Sequence, residues 1–96
     1  MTELPKEIIV LGKVVHIKVV PVINKDETTL GEWVGTENTI YIKQGIPSVG
    51  EVFLHELVEC IKDKCDLQMN HTIICVLSEV LYQVIKTNDF GGIFSC

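Results

Sequence analysis

His55 and Glu59 stand four residues apart in the run Phe53-Leu54-His55-Glu56-Leu57-Val58-Glu59. On a helix that spacing stacks the two side chains one above the other on a single face. Glu56 is turned from the pair by about 100 degrees and projects beside it. This is the geometry of the HExxH zinc motif, with Glu in place of the second His. In that motif two positions hold the metal and the Glu between them takes a proton from the activated water. A carboxylate binds zinc through oxygen, so Glu59 is an acceptable ligand. A short H-E-x-x-E string on a solvated helix face also arises by chance, so the motif needs a further donor nearby.

The second half of the chain offers one. On a helix beginning near Asn70, the residues His71, Cys75, Ser78 and Tyr82 form one stripe at i, i+4, i+7 and i+11, with Glu79 at its edge. If that helix runs antiparallel to the first about a turn centred near Asp66, His55 faces residues near 77 and Glu59 faces residues near 73. His71 or Cys75 then approaches Glu59 within about one turn. His55, Glu59 and His71 make a His2Glu donor set for about one zinc per chain, with a fourth position open and Glu56 as general base. Cys75 and Glu79 are rivals for the third place. Tyr82 fits a rim residue packed on the sheet better than a transition-state donor. His16 alternates outward on a strand and reads as solvated.

These helices need a frame to sit on, and the first half of the chain reads as strands. Glu7 to Leu11 is apolar and β-branched, Gly12-Lys13 can turn a hairpin, and Val14 to Val20 alternates apolar with polar residues. Pro21 ends regular pairing, and Asn24 to Gly31 is a polar, turn-rich loop. Trp33 to Thr36 and Thr39 to Lys43 form a second hairpin around Glu37-Asn38. After Pro47 the period changes. Ser48 and Glu51 have capping-box spacing, and Val49, Phe53, Leu57, Cys60 and Ile61 recur as a helical core arc from Val49 to Lys64, widened by Leu54 and Val58. Cys65 to Gln68 is a short connection, which makes the two helices antiparallel neighbours. The second helix, about Asn70 to Lys86, carries Ile73, Leu77, Val80, Leu81 and Val84 as its core side. Ile93 to Cys96 is a short apolar tail. The fold expected is a single α+β domain over residues 1–96. A small antiparallel sheet of three or four strands (about 7–43) precedes an antiparallel two-helix hairpin (48–87), a minimal zincin-like arrangement.

Composition narrows the function classes. With 96 residues, 47% of them hydrophobic and 22% charged, the chain can bury a core and is no disordered linker. Eight lysines, no arginine and thirteen acidic residues leave a net charge of −5. That balance argues against nucleic acid and against anionic membrane, which favour basic clusters. Apolar runs of four or five residues, such as Ile8 to Leu11, are far short of the roughly 20 a membrane span needs. The start Met1-Thr2-Glu3-Leu4-Pro5-Lys6-Glu7 has no apolar signal core, so a cytoplasmic protein is expected. The four cysteines (60, 65, 75 and 96) contain no CxxC pair and are expected to be reduced thiols, with Cys60 packed in the interior.

The run Phe53 to Glu59, with Asn70-His71-x-x-Ile74, Leu81-Tyr82-Gln83-Val84-Ile85 and the strand Gly35-Thr36-Glu37-Asn38-Thr39-Ile40-Tyr41-Ile42, resembles small phage and prophage proteins described as zinc metallopeptidase-like. Those are distantly similar to the ImmA/IrrE group. The resemblance extends over roughly Val10 to Asn88. The family pattern is a full HExxH with an acidic third ligand on the next helix. His55 and Glu56 match it directly, whereas Glu59 stands at the second His and His71 at the third position. The resemblance implies a phage- or mobile-element-encoded enzyme that hydrolyses peptide bonds with zinc and takes a protein or peptide as substrate. The alternative is a non-catalytic binding or structural phage module on the same scaffold, with or without a structural metal. Ninety-six residues leave little room for both a cleft and a substrate-holding edge strand, which favours the alternative.

Overall fold

A computed structural model describes residues 4–95; Met1–Glu3 and Cys96 lie outside the described residues. Four strands precede two helices: β1 (Glu7–Val10), β2 (Lys13–Val20), β3 (Gly31–Val34), β4 (Thr39–Lys43), α1 (Val49–Lys64) and α2 (His71–Thr87). The architecture is α+β, one four-stranded sheet followed by a helical hairpin. Among the described residues no helix is long and apolar enough to cross a membrane.

The sheet is mixed rather than wholly antiparallel. Its order is β1-β2-β4-β3: β1 pairs antiparallel with β2, β2 runs parallel to β4, and β3 closes the far edge antiparallel to β4. Burial explains the insertion of β4 between β2 and β3. Thr39, Ile40 and Ile42 are buried on β4 and need cover on both flanks, whereas every residue of β3 is only half-buried and tolerates an edge. The stretch from Pro21 to Leu30 carries the chain past β4. It is tightened by a bridge between Ile23 and Asp26 through Asn24 and Lys25, both at positive φ.

The first hairpin turns at Leu11-Gly12, one residue earlier than Gly12-Lys13. Val10 pairs with Lys13, and the two residues between them have φ of 51° and 77°. A type I′ turn needs positive φ at both central positions, and glycine removes the cost at only one of them. The second hairpin turns through a 3-10 segment, Gly35–Glu37, and Asn38 at φ 53°. The Asn38 side chain also donates to the Val14 carbonyl on β2, tying this turn to the sheet.

Val15, Ile17, Ile40 and Ile42 present one sheet face to α1, where Cys60 is fully buried against them. Burial pushes the Cys60 thiol pKa up, as fits a packed and inert cysteine. Cys60, Cys65 and Cys75 are all unbridged. Ser48 is the N-cap of α1, but the capping box with Glu51 does not form. Its backbone, at φ −108° and ψ 44°, departs from the extended conformation that aims a cap side chain at the helix, and no side-chain cap bond is made. α1 ends in a Schellman closure: Leu67 N–H bonds Lys62 O, Asp66 N–H bonds Asp63 O, and Asp66 takes the left-handed position at φ 53°. Asn70 then caps α2, its side chain accepting the Ile73 N–H at 2.9 Å.

The rotation of α2 differs from expectation. Its buried line is Ile74 and Ser78, at 1% and 2% exposure, while Ile73, Val76, Leu77 and Val80 are 46%, 55%, 41% and 51% exposed. α2 has one large helical neighbour, α1, and turns its polar stripe and Ile74 towards it. Ser78 is satisfied there by donating to the Ile74 carbonyl at 2.7 Å. The apolar arc read as the core side faces outward.

Candidate metal centre

Side-chain atoms of His55, His71 and Cys75 all lie within 4.8 Å of one another, the one such cluster among the described residues. The two imidazoles meet edge to face with centroids 5.5 Å apart, and Cys75 Sγ is 3.3 Å from His71 Nε2. Local helix geometry builds half of this, because His71 and Cys75 are one turn apart on α2. The hairpin supplies the rest by laying α2 against the His55 face of α1. Mirror pairing about Asp66 holds well at the far end, where the Tyr82 ring sits on Gly50.

Tetrahedral zinc with bonds of about 2.0–2.1 Å to nitrogen and 2.3 Å to sulfur places neighbouring ligand atoms about 3.3–3.6 Å apart. The sulfur–nitrogen separation already has that value, and the remaining pairs need to close by about an ångström. Two imidazoles and a thiol are donors that suit zinc. The residues therefore fit the metal.

Glu59 stands beside this cluster and outside it. Its carboxylate is 3.7 Å from His55 Nε2, one turn along the same helix. His71 lies against His55, with ring centroids 5.5 Å apart. Glu79 and Cys75 both line the cleft over the cluster, whereas Tyr82 does not; it rests on Gly50 with Lys86 over its ring at 5.4 Å. His16 is on the sheet, 3.9 Å from Glu7 and far in the fold from the cluster.

Glu56 is the buried carboxylate of the site, at 8% exposure. It faces β3, beside Gly31 and the backbone N–H of Trp33. Its pKa is raised to about 7, first by burial, then by the neighbouring Glu59 and Glu32 charges, with the Trp33 N–H opposing. Gly31 makes this approach possible. A Cβ there would fall 2.7 Å from Val52 Cγ1 and 3.0 Å from Glu56 Cγ. Trp33 fastens the same strand to the end of α1, its Nε1 donating to Asp63 at 3.0 Å, with Lys64 reaching over the ring to Asn38.

β3 also keeps one free edge. Lys43 N–H bonds Leu30 O, and the register continues with Glu32 opposite Tyr41, so residues 30, 32 and 34 spend their backbone groups on β4. Gly31 and Trp33 point theirs outward, beside Glu56. The cleft over this edge has a volume of about 410 Å³ and is bounded by Gly31, His55, Glu56, His71, Cys75 and Glu79 among others.

The edge strand is what sequence reasoning missed. Gly31 inside a strand signals close backbone approach, and its place at the end of a polar loop hid that signal. Compared with protein-family models, curated proteins and solved structures, the chain has no match in any of the three.

Proposed function

We propose that the protein is a zinc-dependent hydrolase of extended peptides, with His55, His71 and Cys75 as metal ligands and Glu56 as general base. The observation that carries this reading is the convergence of three donor atoms from two helices beside a buried carboxylate raised to about 7. Zinc bound there supplies a Lewis acid that polarises a carbonyl and acidifies water. Glu56 has a proton affinity suited to taking a proton at neutral pH and returning it to a leaving amine. Packing against Gly31 sets it beside the free edge of β3. That edge can accept an extended peptide through the outward groups of Gly31 and the Trp33 carbonyl. Glu59, 3.7 Å from His55 Nε2, is placed to orient that ring from within α1, as carboxylates commonly do behind ligand histidines.

The resemblance to phage and prophage metallopeptidase-like proteins favours the same reading. A cytoplasmic location belongs to the same proposal, and thiols kept reduced there would leave Cys75 free to bind metal. Metal analysis and cleavage of a peptide library test the proposal together. We expect about one zinc per chain and cleavage abolished by chelator. Less than a tenth of an equivalent after zinc addition removes the metal from the reading. Stoichiometric zinc without cleavage leaves the non-catalytic binding module as the function.

A further inference from the structure

Among the described residues, nothing covers the outward arc of α2. It consists of Ile73, Val76, Leu77, Val80, Leu81 and Val84, of which only Val84 is half-buried. The charged residues of α2 lie off it: Glu79 lines the cleft and Lys86 covers Tyr82. On the helical wheel the arc is roughly opposite the His71–Cys75 stripe. We propose that this face is the interface of a homodimer, in which α2 packs antiparallel against α2 of a second copy.

The face is complementary to itself. Ile73, Leu77, Val80 and Val84 step by four, three and four residues, the a/d spacing of a helix–helix seam. A two-fold axis passing between the levels of Ser78 and Glu79 sets Leu77 against Val80, Ile73 against Val84 and Val76 against Leu81. Each apolar residue then meets an apolar residue, as an isologous contact requires. The antiparallel arrangement also brings the N-terminal end of each helix towards the C-terminal end of the other, which favours their dipoles. Two such faces with their flanking side chains remove on the order of 1,000 Å² from water, the size at which specific dimers begin. A membrane is the weaker occupant. Lys86 is the one basic side chain α2 carries apart from His71, and a lipid surface favours several.

Sedimentation of the full chain from about 1 to 200 μM, a range that brackets micromolar dissociation constants, tests this. We expect wild type to shift to twice the 10.8 kDa of one chain within that range. Leu77→Glu and Val80→Glu should remain monomeric throughout, with unchanged helical circular dichroism, because both positions face outward in the single chain. Leu77→Ser is the milder variant should a buried-edge effect unfold Leu77→Glu, and it should weaken association at least tenfold, roughly the loss of one central contact. Zinc content should not change in any folded variant, since this face lies away from His71 and Cys75. A wild type that stays monomeric at the highest concentration overturns the proposal, with or without binding to anionic vesicles. So does a folded Val80→Glu that still dimerises.

Discussion

Glu56 packs directly on Gly31, where a Cβ would lie 3.0 Å from Glu56 Cγ and 3.2 Å from its Oε2, so the one buried acid of the site sits against the free edge of the sheet. Its surroundings are thereby set by a strand 25 residues upstream rather than by its own helix. The same contact couples folding to protonation. Burial dominates and raises the group from 4.5 to about 7, although the Trp33 N–H partly opposes it.

Glu56 should make the metal-free protein less stable as pH rises. A carboxyl raised in the folded state binds its proton more tightly there than in the unfolded chain. Its stabilising effect is thus complete below about pH 4.5 and is lost as pH climbs through about 7. The full shift corresponds to about 3 kcal/mol, and nearer 1 kcal/mol once water in the open cleft is allowed for. Urea denaturation of chelator-treated protein at pH 5 and pH 8 should show that fall. Glu56→Gln, which is neutral at both, should flatten the difference. Equal slopes in the two proteins would place the pH dependence elsewhere.

Metal affinity should separate the ligands from their neighbour. His55→Ala, His71→Ala and Cys75→Ser should each lose most zinc. Glu59→Gln should keep one equivalent with affinity lowered about 10- to 100-fold, as for other carboxylates behind ligand histidines. Cobalt substitution provides the independent readout. A thiolate-to-metal charge-transfer band in wild type, absent in Cys75→Ser, identifies sulfur in the coordination sphere. Should Glu59→Gln lose metal as completely as His55→Ala, Glu59 is itself a ligand and the His2Glu set read from the sequence takes precedence.

Gly31→Ala should destabilise the protein by about 1–3 kcal/mol, the usual range for overpacking. The added methyl would meet Val52 at 2.7 Å and Glu56 Cγ at 3.0 Å. Neither side chain can retreat easily, as Val52 is packed on the core and Glu56 is itself buried. Thermal denaturation against Gly92→Ala, where a Cβ comes no nearer than 3.9 Å to a neighbour, Ser95 Oγ, controls for the loss of backbone freedom alone.

The element types and the helical hairpin were legible because their periods are long and clean. β2 alternates from Val15 to Val19, and α1 and α2 repeat apolar residues at helical spacing. The parallel pairing of β2 with β4 was not, because it depends on which strand can be buried on both flanks, a tertiary quantity. The polar stripe His71, Cys75 and Ser78 was legible from the wheel, but its direction was not. The wheel of α2 carries two faces, and the more apolar one was read as inward. Packing against α1 selects the other. That choice brings His71 and Cys75 onto His55, and it leaves Leu77 and Val80 facing out.

Catalysis, finally, should depend on Glu56 more steeply than zinc content does. Among the carboxylates around the cluster, Glu59 is turned onto His55, and Glu79 is exposed at the rim of the cleft. Glu56 alone is both buried and positioned by the strand that would carry a peptide. Removing a general base lowers rates by about 10²- to 10⁴-fold, whereas replacing a bystander leaves them nearly unchanged. Glu56→Gln preserves size and can still face the Trp33 edge, so folding and zinc loading should survive. The comparison is therefore made at matched zinc content, on any peptide that wild type cleaves. Cleavage lost in Glu56→Gln, retained in Glu79→Gln and abolished in wild type by chelator assigns the proton transfer to Glu56. Equal rates in wild type and Glu56→Gln would remove it from the reaction and reduce its packing on Gly31 to a structural contact.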